Sequence, residues 1–217
     1  MEHTVQLTYK EVEPRRKLEE GNPLLLLLHG RGTDENDLLG LAPFLDERLH
    51  VVSARAPFPF QLGPGYAWYD IEEVGKPDGD KFPQSRESIV KLIDTLHDKH
   101  EGTRNNTFLL GFSMGSVMAY AVSLAYPEKV KGVVAHSGYI AEGDNTHYKW
   151  NEAKKVDYFI AHGIADPVIT VQFGKRAEEL MKANDMNFIY KEYPIAHQIS
   201  EESLNDITGW LTNKIGT

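Results

Sequence analysis

The chain contains no cysteine among its 217 residues. Disulfides, thiolate metal sites and a cysteine nucleophile are thereby excluded, which leaves only histidine and carboxylate groups to hold a metal. Long apolar runs are missing as well. The densest, the leucines at 24–28, falls far short of the roughly 20 residues needed to cross a bilayer, so stable membrane insertion is not expected. Residues Met1-Glu2-His3-Thr4-Val5 lack the basic stretch and continuous apolar segment of a secretory signal, which points to a cytoplasmic location. Positive charge is scarce: 23 Lys and Arg against 32 Asp and Glu leave a formal charge of -9. With no dense basic run to offset it, such a surface repels nucleic-acid backbones, and no nucleic-acid partner is expected. Neither an internal repeat nor a low-complexity linker divides the sequence. The expectation is a single domain over residues 1–217, with 41% hydrophobic residues to fill its core.

What is present alternates. Short apolar runs suited to strands covered on both faces lie at 24–28, 51–54, 108–110, 133–135 and 158–161, with 188–193 a later candidate. Between them, helical spacing links Ile89, Leu92, Ile93 and Leu96, then Val117, Tyr120, Ala121 and Leu124, then Ala177, Leu180 and Met181. Residues 199–211 predict a closing helix, and 5–9 an antiparallel edge strand. The alternation predicts an α/β fold, a doubly wound, mostly parallel sheet flanked by helices with right-handed crossovers. Residues 56–84 break the pattern: rich in proline and glycine, they also carry Phe58, Phe60, Tyr66, Trp68, Tyr69 and Phe82. A long aperiodic stretch with this aromatic content predicts an ordered loop that walls a site.

The chemistry centres on Gly111-Phe112-Ser113-Met114-Gly115. Composition alone would supply a G-x-S-x-G pattern in roughly one chain of this length in ten. Here, however, it follows the strand candidate 108–110 and precedes a plausible helix at 116–126, the setting a sharp strand-to-helix turn requires. Such a turn strains the serine backbone and packs helix against strand so closely that the flanking positions must be glycine. It also aims helix N–H groups at whatever charge develops beside the serine oxygen. Tight packing with Ser113 as a plain helix cap is the bland reading.

A serine hydroxyl needs a base, and the base a carboxylate. His197 lies between the last strand and the last helix; His136 and His162, at or in strands, are the lesser choices of base. Asp166 stands just past the strand 158–161, at the carboxyl edge where sites of open α/β sheets gather, whereas Asp157 precedes that strand. Asp144 is the rival acid, and a turn before Pro167 is the alternative use of Asp166. A second donor loop is offered by His29-Gly30-Arg31-Gly32, where the N–H of Arg31 can join that of Met114 as an oxyanion hole. Asp34 and Asp37 read as starting the helix that follows. His97 and His100 share a helix face at a spacing a metal could use, but no third ligand is visible from sequence, and a solvated helix end is the better reading.

Taken together, Leu28-His29-Gly30-Arg31-Gly32 with Asp37, Trp68-Tyr69-Asp70, Gly111 to Gly115, Ser137-Gly138, His162-Gly163 through Asp166-Pro167-Val168, and Ala196-His197 with Ser200 resemble the phospholipase/carboxylesterase family of α/β hydrolases. That family includes acyl-protein thioesterases and lysophospholipases. The resemblance spans nearly the whole chain. It implies an α/β-hydrolase fold without a separate cap domain, with Ser113, Asp166 and His197 as triad and Arg31 and Met114 as oxyanion donors. Met114, Ser116 and Ala196 depart from the residues common there, though a backbone N–H survives any side chain at 114.

The expected activity is hydrolysis of a small-molecule carboxylic ester or thioester through an acyl-enzyme on Ser113, with no metal or organic cofactor implied. Trp68, Tyr69, Tyr139 and Ile140 are candidates to line the acyl site, and a homodimer is conceivable by analogy. A non-catalytic binding module, or acyl transfer or perhydrolysis at the same serine, are the alternatives.

Overall fold

The computed structural model describes residues 5–143 and 146–216; the rival acid Asp144 lies outside them. Strands β1 (Tyr9–Val12), β2 (Leu24–Leu28) and β3 (His50–Ala54) open the chain. Four short strands follow: β4 (Phe58–Pro59), β5 (Tyr66–Ala67), β6 (Asp70–Glu73) and β7 (Lys76–Asp78). The alternating part comprises α1 (Lys81–Lys99), β8 (Thr107–Phe112), α2 (Met114–Ala125), β9 (Gly132–His136), α3 (Trp150–Ala153), β10 (Asp157–Gly163), α4 (Val171–Ala183), β11 (Asn187–Tyr193) and α5 (Glu201–Ile215).

Seven strands form one sheet in the order β1-β3-β2-β8-β9-β10-β11. Only β1 runs antiparallel, pairing Tyr9 with Ala54 and Val12 with Val51; the others are parallel. Strand β2 shows why a run of leucine suits the middle of such a sheet. Leu24, Leu26 and Leu28 share one apolar cluster with α1, α2 and α4, while Leu25 and Leu27 join a second with α5 and the 3-10 helix Leu38–Phe44. Period-two alternation therefore buries every position, and all five side chains are fully covered. The sheet is flanked on both faces by helices, the arrangement of an α/β hydrolase.

Two expectations shift. The edge strand is Tyr9–Val12 rather than 5–9: Leu7 is buried and the Val5 N–H donates to Ser88 Oγ on α1, so this apolar piece packs on a helix instead of pairing. The stretch 56–84 is not one loop, since it folds into two small hairpins, β4/β5 and β6/β7, and α1 already begins at Lys81. Pro83 is compatible with that early start because first-turn N–H groups have no intrahelical acceptor. Among the described residues no helix is long and apolar enough to cross a membrane.

Candidate active site

Three turns at the carboxyl edge of the sheet converge on one point. The first joins β8 to α2 through Ser113, whose φ of 55° and ψ of -120° lie outside the regions favoured by L-residues. What holds this strain is the closeness of its flanks. A Cβ on Gly111 would run into the Gly115 carbonyl, and one on Gly115 into the Leu28 carbonyl of β2. Both glycines of the pattern are thus fixed by backbone approaching backbone.

The second turn follows β10. Asp166 Oδ1 accepts the N–H groups of Val168 and Ile169 at 2.8 and 2.9 Å, which anchors the carboxylate and turns Oδ2 toward His197. The third follows β11 and carries His197. Its Nδ1 lies 2.7 Å from Asp166 Oδ2, and its Nε2 lies 2.9 Å from Ser113 Oγ. With an ionised carboxylate at Nδ1, that nitrogen is the donor, which leaves Nε2 to accept the serine proton. The Phe112 ring packs beside the imidazole, centroids 4.9 Å apart.

Burial alone would raise the Asp166 carboxyl, but the hydrogen bonds from His197, Ile169 and Val168 outweigh it and hold the group below the ordinary aspartate value. Its side chain is fully shielded, whereas 16% of His197 remains exposed. One end of the relay is therefore sealed and the other open.

The lesser candidates are engaged elsewhere. His136 is wholly buried, with Nδ1 3.0 Å from Ser137 Oγ and Nε2 3.2 Å from Ser203 Oγ, and burial pulls its pKa down to about 3. His162 donates from Nε2 to the Ile169 carbonyl at 2.8 Å and stands 3.7 Å from Asp166 Oδ2, beneath the carboxylate instead of beside the serine. Asp157, at the opposite edge, pairs with Lys214.

A cavity of about 240 Å³ opens at Ser113, bounded by Arg31 and Met114 as well as Phe112 and His197. Met114 is the first residue of α2, so its N–H has no acceptor within the helix. The loop bearing Arg31 is braced from both sides. His29 accepts the Ala56 N–H at Nε2 and contacts the Gly30 carbonyl through Nδ1, and the His29 carbonyl accepts the Trp68 indole N–H at 2.9 Å. Asp34 receives the Asn36 N–H in a local turn; Asp37 stands at the helix start without a side-chain cap and borders the cavity.

Of the four side chains expected along the acyl site, Tyr69 and Tyr139 line the cavity, with their hydroxyls 3.1 Å apart. Trp68 and Ile140 do not. Trp68 is turned inward to hold the His29 carbonyl, and Ile140 is buried in the core. The hairpin β6/β7 supplies Ile71 and Val74 to the lining, and Val168 and Ile169 come from the Asp166 turn. Sequence inspection missed these four because Val74, Val168 and Ile169 lie in turns and Ile71 in a strand of four residues, too short for its facing to be read.

Residues 8–215 match the phospholipase/carboxylesterase family. The chain belongs to that family. Acyl-protein thioesterase 1 of Debaryomyces hansenii is 32% identical over 176 residues, covering 76% of each chain. Acyl-protein thioesterase 1 of Candida albicans is 29% identical over 210 residues, 87% of this chain and 90% of that protein. The Bacillus cereus carboxylesterase crystal structure superposes with a TM-score of 0.83 at 23% identity, over 96% of this chain and 94% of that one, a likeness of fold. Family membership makes this protein a serine hydrolase of the esterase and thioesterase type.

Proposed function

We propose that this hydrolase is a single-domain carboxylesterase working through an acyl-enzyme on Ser113, with acyl thioesters and lysophospholipids within its substrate class. One observation carries the reading: the His197 imidazole stands between Ser113 Oγ and Asp166 Oδ2 at 2.9 and 2.7 Å. In this mechanism His197 takes the serine proton as Oγ attacks the acyl carbon, and Asp166 stabilises the imidazolium that forms. The N–H groups of Arg31 and Met114 receive the oxyanion, each contributing about 2.7–4 kcal/mol in the transition state. His197 then protonates the departing alcohol or thiol and activates water to release the acid.

The open cavity and the relatives named as thioesterases support both oxygen and sulfur leaving groups. A fluorophosphonate probe should label the protein at Ser113 and leave Ser113→Ala unlabelled. Asp166→Asn should lower kcat for a nitrophenyl ester by about 10⁴-fold while the fold persists, by analogy with other triads. Labelling that survives Ser113→Ala, or near-normal turnover by Asp166→Asn, would overturn the assignment. Rates with acyl thioesters and esters of matched chain length, followed with competing alcohols and peroxide, separate hydrolysis from acyl transfer and perhydrolysis.

A further inference from the structure

At the far side of the sheet a second cluster of functional groups has no place in ester hydrolysis. The antiparallel register sets Glu11 of β1 opposite Val52 of β3, and His50 lies two residues before Val52 on the same face. That face is covered by α1, whose chain leaves the helix at His100. Three elements distant in sequence thereby deliver one carboxylate and two imidazoles to a common point. His50 Nε2 lies 2.9 Å from Glu11 Oε2, and His100 Nε2 lies 3.0 Å from the same oxygen. The ligand-capable atoms of the three all fall within 4.8 Å of one another.

We propose that Glu11, His50 and His100 form a structural divalent-metal site, with zinc the fitting ion, that ties the edge strand β1 to β3 and to the end of α1. The donor set of two imidazole nitrogens and one carboxylate oxygen is of the borderline kind that suits zinc and its neighbours over magnesium or calcium. Metal–ligand bonds of about 2.0–2.2 Å in a tetrahedron separate the ligand atoms by roughly 3.3–3.6 Å, so the two histidine–carboxylate spacings of 2.9 and 3.0 Å need open by only a few tenths of an ångström. Water completes the fourth position.

The surroundings suit the role. Lys99 Nζ pairs with Glu11 Oε1, which orients the carboxylate so that Oε2 is presented to both rings. The two rings are in tilted contact, centroids 4.2 Å apart, and His50 is almost fully buried while His100 is reachable from solvent. Glu13 adds negative charge near His50. A ring binds through Nε2 with its proton carried on Nδ1. Of the two histidines that share the helix face, only His100 takes part: His97 faces inward, Nε2 2.8 Å from Thr107 Oγ1.

The test uses the full-length, untagged chain stripped with chelator. Equilibrium dialysis against about 10 μM Zn²⁺ should retain one equivalent of metal, and Co²⁺ should give the visible absorption of a tetrahedral site. Zn²⁺ about 100-fold above its Kd should raise the thermal midpoint by roughly 5–10 °C. Glu11→Gln and His100→Gln, both at partly exposed positions, should weaken retention at least about tenfold without altering ester turnover. Failure to retain metal would overturn the proposal, as would retention unchanged in both variants.

Discussion

Gly163, the last residue of β10, lies so close to Ala196 that a Cβ built on it would enter the space of the Ala196 carbonyl oxygen, with the Ile195 carbonyl 2.5 Å away. The residue before His197 is thus seated directly on the strand that leads to Asp166, and two members of the site are spaced by backbone against backbone. The contact is reinforced by the Ala165 N–H, which donates to the Ile195 carbonyl at 3.1 Å.

Gly163→Ala should therefore displace the His197 loop. Because misplacement of a catalytic group by about 1 Å costs on the order of 10²-fold, kcat should fall by about 10- to 100-fold with KM changed far less. Steady-state kinetics on protein shown to be folded by circular dichroism checks this. Unaltered kcat would mean that the loop relaxes without moving the imidazole.

Tyr139 closes the cavity wall beside Tyr69 and packs its ring on Phe173, centroids 5.5 Å apart. Tyr139→Ala should lengthen the acyl space, so that the chain-length optimum of kcat/KM moves upward across a series of nitrophenyl esters. A stability loss of about 3 kcal/mol should accompany it, as for other buried aromatic truncations. An unchanged optimum would place the acyl chain along a different wall.

Stability should depend on pH through His136. Its folded-state pKa is about 3 against 6.5 for the free ring, so between those values the unfolded chain holds a proton that the folded chain does not. Stability therefore rises with pH across this window and is lost as pH falls below about 6.5. The thermal midpoint should drop between pH 7.5 and pH 5, and His136→Gln should flatten that slope. A slope identical in the variant would assign the dependence to other groups.

Ser116 lies on α2, a helix buried along its whole length, with its Oγ lacking a hydrogen-bond partner among the described residues and facing Gly138, where a Cβ would collide with it. Ser116→Ala removes a desolvated hydroxyl and adds helix propensity, so it should stabilise the protein by about 1 kcal/mol in denaturant titration. A loss of that size would show that the hydroxyl is satisfied in solution.

Much of this was legible from the residues alone, because burial on both faces writes itself as continuous apolar runs. The leucines of β2 could hardly be anything else, and each later strand of the central sheet was found within one or two residues of its ends, whereas the four short strands of the two hairpins were read as loop. The Gly-x-Ser-x-Gly turn and the positions of Asp166 and His197 followed from the order of elements, and the structure brings these groups into contact. What could not be read were facings in aperiodic chain. Trp68 and Tyr69 are adjacent aromatics in one loop, yet the first braces His29 and the second borders the cavity. Nor does helical spacing reveal a partner from another element: His97 and His100 looked like a pair, but Thr107 claims one and Glu11 with His50 the other.

Strand β2, with all five side chains at zero exposure, also has a bearing on how this enzyme fails. Its Leu28 carbonyl is what confines Gly115 beneath the strained serine, its neighbour β8 leads directly into Ser113, and β10, further along the same sheet, leads to Asp166. Disordering the serine turn therefore means opening the central sheet, a cooperative event of the whole molecule and not a local one. Heat should take activity and tertiary structure together, which makes residual turnover a gauge of how much protein is still native.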